Sequence, residues 1–81
     1  MIEVGDYVRV KTGTKRGEMG RVIKKYCPDA YYLVTVYEIT FEDTNTFEYY
    51  RKEFKQLSKD EIIVELLWRN INTLRLMKEL I

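Results

Sequence analysis

The chain has 81 residues, 46% hydrophobic and 33% charged, with a single proline, which suits one globular domain with one core and argues against disorder. A net charge of only +1 with no histidine is unlike a strongly basic nucleic-acid coat, and the lone Cys27 excludes an internal disulfide and has no metal-ligand spacing around it. No apolar run approaches ~18 residues and the start, MIEVGDYV, lacks the regions of a signal peptide, so a cytoplasmic protein with no membrane partner is expected.

The first predicted element is a half-buried strand, in which Val8 and Val10 face one way and Tyr7, Arg9 and Lys11 the other. Thr12 to Glu18 holds Gly13 and Gly17 in a run without an apolar residue, which is turn chemistry, because glycine reaches positive φ without steric cost. A second strand follows, with Gly20, Val22 and Lys24 on one face and Arg21, Ile23 and Lys25 on the other. Gly20 leaves room there for a bulge or a close backbone approach.

Gly5, Asp6, Val8, Val10, Gly13, Lys15, Gly17, Gly20 and Val22 together resemble the KOW motif, found in the carboxy-terminal domain of the transcription factor NusG and in ribosomal proteins. The resemblance covers roughly a quarter of the chain. It implies a small five-stranded SH3-like barrel, and it implies that the loop from Thr12 to Met19 touches RNA or a protein partner. Charge adds to this. Residues 1–26 carry Arg9, Lys11, Lys15, Arg16, Arg21, Lys24 and Lys25 against Glu3, Asp6 and Glu18, while the rest of the chain is net acidic. A basic half interleaved with Tyr7 and Tyr26 could track a phosphate backbone; charge runs are also commonly solvated faces.

Cys27 to Ala30 reads as a turn around Pro28 and Asp29, with Cys27 a buried or partly buried small side chain. Tyr31 to Phe41 is the strongest strand signal. Its first half is apolar on both faces (Tyr32, Val34 and Val36; Tyr31, Leu33 and Tyr37) and is expected to be covered twice, by the core and by the C-terminal helix, unless Tyr31 and Tyr37 are simply exposed. Its second half alternates, with Ile39 and Phe41 opposed to Glu38, Thr40 and Glu42. Glu42 to Thr46 is a polar hairpin turn and Phe47 to Tyr50 the return strand. The acidic tip formed by Glu38, Glu42, Asp43 and Glu48 could mate with the basic loop of another copy. Arg51 to Leu57 reads as one turn and a short closing strand anchored by Phe54 and Leu57, although it also fits a helix.

Ser58 and Glu61 form a capping box, with Leu57 and Ile62 as a hydrophobic staple. A helix from about Lys59 to the end follows, supported by Asp60 and Glu61 at its start, Arg75 and Lys78 near its end, and Glu65 four residues before Arg69. Residues 1–57 are thus expected to form the barrel that the resemblance implies, and 58–81 a C-terminal amphipathic helix in the same domain. Its apolar residues spread over about 200°, roughly twice the arc a surface helix needs. At ~35 Å it is longer than the ~26 Å expected for the preceding residues. The surplus face, with Ile63, Leu67, Asn70, Ile71, Leu74, Met77 and Ile81 as the candidate interface, is expected to meet a protein partner or a second copy. Asn70 would fix register in such a pair, or with Asn72 and Thr73 mark a kink that returns the last turns to the barrel. Trp68 would anchor the helix to the barrel or sit at the contact.

Nothing supplies catalysis. There is no histidine, Cys27 has no base, Ser58 is taken by the helix cap, and Gly13 to Gly17 lacks the spacing of a phosphate loop. No cofactor, metal or small-molecule substrate is expected. The function expected is a small regulatory protein-interaction module that self-associates through its helix; the alternative is an RNA or DNA binder using the basic hairpin.

Overall fold

The structure is a computed structural model that describes residues 1–28 and 33–80, the side chains at 73, 76, 77, 79 and 80 excepted. Five strands, β1 (Tyr7–Val10), β2 (Met19–Tyr26), β3 (Val36–Thr40), β4 (Thr46–Tyr50) and β5 (Phe54–Gln56), precede one helix, α1 (Lys59–Leu80). All pairings are antiparallel, in one sheet of order β4-β3-β2-β1-β5. The mainly β class with a single helix is the one predicted. Among the described residues no helix is long and apolar enough to cross a membrane.

In β1 the alternation holds, with Val8 and Val10 buried beneath half-exposed Tyr7 and Arg9. They join Ile2, Val22, Tyr37, Ile39, Phe41, Tyr49 and Phe54 in the core. The sheet curls to make this possible. In the sheet order β2 and β1 lie between β3 and β5, a separation of about 14 Å in a flat sheet, yet the Tyr37 and Phe54 rings meet edge to face with centroids 5.2 Å apart. Gly20, opposite Val8, permits the closest part of this packing. A Cβ at Gly20 would collide with the Ile39 side chain and come within 2.9 Å of the Phe41 ring and the Thr40 carbonyl oxygen.

Between Val22 and Lys24 the register of β2 against β3 shifts. This corrects the uniform alternation predicted for the second strand, since an extra residue moves every later side chain to the other face. Lys25 is opposite the buried Tyr37, and its ammonium donates to the Ile2 carbonyl at 3.1 Å.

β3 is shorter than the predicted Tyr31–Phe41 strand. Leu33 has φ 51°, a left-handed conformation that ends any extended run, and Leu33 and Val34 are 80% and 44% exposed. The double cover expected for these two residues is therefore absent, whereas Tyr37 is buried beside Ile39 and Phe41. Tyr31 and Tyr32, with Asp29 and Ala30 of the predicted turn, lie outside the described residues. Cys27, expected to be buried or partly buried, is exposed, because β2 ends at Tyr26 and carries it past the sheet.

The hairpin between β3 and β4 closes with Thr44 at φ 67°, its N–H donating to the Phe41 carbonyl at 2.9 Å, and with the Asn45 N–H donating to Asp43 Oδ1 at 3.1 Å. After β4 a single 3-10 turn, Arg51–Glu53, leads into β5, and Phe54 and Leu57 are buried as predicted. The capping box is present: the Glu61 amide donates to Ser58 Oγ and the Ser58 amide to Glu61 Oε1, each at 3.2 Å. α1 then runs unbroken through Asn70, Asn72 and Thr73, so these weak helix formers do not end it. The molecule is 57 Å long and 24 by 18 Å across, and α1, spanning roughly 33 Å at the helical rise, overhangs the sheet.

Two substitutions of opposite sign test this account by urea denaturation. Gly20→Ala is expected to destabilise the fold by roughly 1–3 kcal/mol through overpacking. Thr44→Gly is expected to stabilise it by roughly 1 kcal/mol, by removing a β-branched residue from a left-handed position.

Candidate protein interface

The side of α1 that meets the sheet is polar. Glu61, Glu65, Arg69 and Asn72, spaced four, four and three apart, are its half-buried stripe together with Ile62. Arg9 Nη2 on β1 reaches Glu65 Oε2 at 3.3 Å. Arg69 Nε lies 3.4 Å from Glu42 Oε2 and 3.9 Å from Glu65 Oε1, and Arg69 Nη2 donates to the Met19 carbonyl at 3.1 Å. Lys55 of β5 meets Glu61 at 3.4 Å. The helix is therefore attached along its first three turns by ion pairs and hydrogen bonds.

The opposite side is apolar and faces water. Ile63, Val64, Leu66, Leu67, Trp68, Ile71 and Leu74 are 41–65% exposed, and Asn70 is exposed among them. Of the candidate interface, Ile63, Leu67, Asn70, Ile71 and Leu74 thus lie together on the outward side, while the Met77 side chain and Ile81 fall outside the described residues. Trp68 is exposed and does not anchor the helix to the sheet, because the sheet side of that turn is occupied by Arg69. Val64, Glu65, Leu67, Trp68 and Ile71 line a shallow hollow on the helix.

The candidate basic residues do not form one open patch. Arg9 also donates to the Gly17 carbonyl at 2.8 Å, bracing the loop from inside. Lys15 is bonded to Asp43 and lies 3.8 Å from Glu18 and 5.4 Å from the Phe41 ring centroid. The basic loop and the acidic hairpin tip thus mate within one copy through Lys15 and Asp43, where the sequence alone allows that they could mate between copies: the curl of the sheet brings them together. Arg21 lies over the Tyr7 ring and Lys24 over the Tyr26 ring, and Lys25 pairs with Glu3 at 3.3 Å. Lys11 and Arg16 are exposed.

Sequence reasoning passed over one further feature. Pro28, Val34, Thr35, Val36, Tyr37, Tyr50, Arg51 and Lys52 line a groove of about 700 Å³, on the side of the sheet where Val36 lies opposite Tyr26 and Tyr50. The only trace in the sequence was the two-sided apolar character around Val34 and Val36. Among the described residues no helix residue lines this groove, so none of them supplies the helix cover predicted for that face. The Glu48 carboxylate beside the Tyr26 hydroxyl raises its pKa above the ordinary tyrosine value.

Compared with protein-family models, with curated proteins and with solved structures, the chain matches none of them.

The loop-to-hairpin contact sets a pH dependence. The Lys15 bond, with help from the Asn45 amide, holds the Asp43 pKa below the ordinary aspartate value, and the Asp43 bond raises that of Lys15. A lowered carboxyl pKa gives stability that is complete above the unfolded value and lost as pH falls through the folded one. A raised lysine pKa gives stability that is complete below the unfolded value and lost as pH rises through the folded one. Asp43→Asn should therefore lower Tm by a constant amount across neutral pH, with the difference from wild type shrinking in acid and at strongly alkaline pH. NMR titration should place Asp43 below the ordinary carboxyl range.

Proposed function

We propose that this chain is a non-enzymatic, regulatory protein-interaction module whose docking surface is the outward face of α1. The observation that carries this reading is the inversion of the helix: its polar stripe lies on its own sheet and its apolar side chains face water. A helix that completes its own domain turns the apolar arc inward, and a contiguous exposed apolar patch of this kind marks an interaction site. The sheet serves as the rigid base that holds the helix by one side.

The finer fold reading is a five-stranded SH3-like barrel whose first hairpin is KOW-like. Its support is the order that sets β1 between β2 and β5, the single 3-10 turn before β5, the curl that brings Tyr37 onto Phe54, and the positive φ of Gly5, Gly13 and Gly17. A nucleic-acid role for the basic hairpin is the second reading. Exposed Lys11 and Arg16 favour it, whereas the carboxylate partners of Arg9, Lys15 and Lys25 favour the protein-docking role.

The test is a double variant, Leu67→Glu with Leu74→Glu, both on the outward face. Wild-type protein should bind an apolar fluorescent dye or sediment as an assembly, and the variant should lose both properties while keeping its circular dichroism. A folded wild-type monomer that binds no dye at micromolar concentration would overturn the reading.

A further inference from the structure

Resting on the docking face proposed above, we infer that its occupant is a second copy of the same chain, bound through α1 in an antiparallel, two-fold arrangement. The spacing along the outward side is the first argument. Asp60, Ile63, Leu67, Asn70 and Leu74 follow one another at intervals of three, four, three and four residues, and Met77 continues the series in the sequence. This is the 3.5-residue period with which one helix presents a continuous seam to another. The described members of the row from Ile63 to Leu74 are all exposed, and the bonds to the sheet leave from the opposite side at Glu65 and Arg69. A second helix can therefore approach without disturbing them.

Charge fixes the direction. Asp60 begins the row, and Lys78 stands 18 residues later, which is five full turns and so the same line along the helix. Both are exposed. No carboxylate among the described residues lies within ion-pair distance of Lys78, and no cation within that distance of Asp60. In an antiparallel pair centred near residue 69, Asp60 meets the partner's Lys78 and Ile63 meets the partner's Leu74. The two Asn70 amides then come close to the two-fold axis, where each can bond the other and fix the register. A parallel pair would set Asp60 beside the partner's Asp60 and Lys78 beside the partner's Lys78, with the helix dipoles aligned in repulsion.

The overhang agrees with this direction. Beyond Arg69 no described hydrogen bond or ion pair ties α1 to the sheet. An antiparallel partner covers this unattached half with its own first turns and places the two sheets at opposite ends of the assembly.

Cysteine pairing combined with sedimentation tests the inference. In a Cys27→Ser background, Ile63→Cys and Leu74→Cys are made as separate proteins. On mild oxidation a mixture of the two should give the mixed disulfide dimer, and neither protein alone should cross-link efficiently. Sedimentation equilibrium should report a dimer for the uncross-linked chain. Lys78→Asp should weaken the dimer about two- to fivefold, and adding Asp60→Lys should recover the loss. Ready self-cross-linking of each protein would mean parallel pairing and overturn the inference. So would a wild-type monomer, and if that monomer still binds the apolar dye, the docking surface stands and only self-pairing is lost.

Discussion

The structure depends most on the polar attachment of α1 to the sheet. Arg9, Glu65, Arg69 and Glu42 form a chain of alternating charge between β1, the helix and the hairpin that follows β3, and the Met19 carbonyl accepts a further bond from Arg69. Because these groups occupy the sheet side, the apolar residues two positions away, Ile63, Leu67 and Ile71, are turned to the outside by helix geometry alone. The arrangement is unlike a core helix, in which apolar burial holds the element and charge decorates the rim. Here an ionic contact sets the rotation of the helix about its axis, and that rotation decides which residues can meet another molecule.

Behind this stands the curvature of the sheet. Gly20 lets Ile39 and Phe41 pack down onto β2, and the register shift between Val22 and Lys24 adds local twist, as bulges do. Curling brings together groups far apart in the chain: Tyr37 with Phe54, Lys15 with Asp43, Arg9 with Glu65. The same curvature carries the Met19 carbonyl and Glu42 to the place where α1 passes.

Local signals were legible in the sequence. The Ser58–Glu61 box could be read because both bonds span three residues, the alternation of Val8 and Val10 because β1 is covered on one side, and the turn and strand of Arg51 to Gln56 because Phe54 had to be inside. The close approach at Gly20 was readable from the loss of a side chain within a strand. The missing parts share a cause. Lys15 and Asp43 are 28 residues apart, and nothing local says that they meet. The slip at Ile23 depends on how β3 lies beside β2. The wheel of α1 displayed an apolar arc and a polar arc and left Trp68 either on the sheet or at the contact; the partners that decide this, Arg9, Glu42 and the Met19 carbonyl, belong to other elements. The candidate helix residues Ile63, Leu67, Asn70, Ile71 and Leu74 were therefore legible as an outward set, while the ion pairs that hold the other side to the sheet were not.

The attachment has a consequence for the ionic environment. Arg9, Glu65 and Arg69 keep between a quarter and about a third of their side-chain surface in water, so dissolved ions reach the contact and weaken it, over a screening length of about 8 Å at physiological strength. Burial of the opposite, oily side is not screened in this way, and excluded salts such as sulfate strengthen it. One helix thus presents two faces that respond to salt in opposite ways. Brine slackens its grip on its own sheet while favouring the withdrawal of the far side from water.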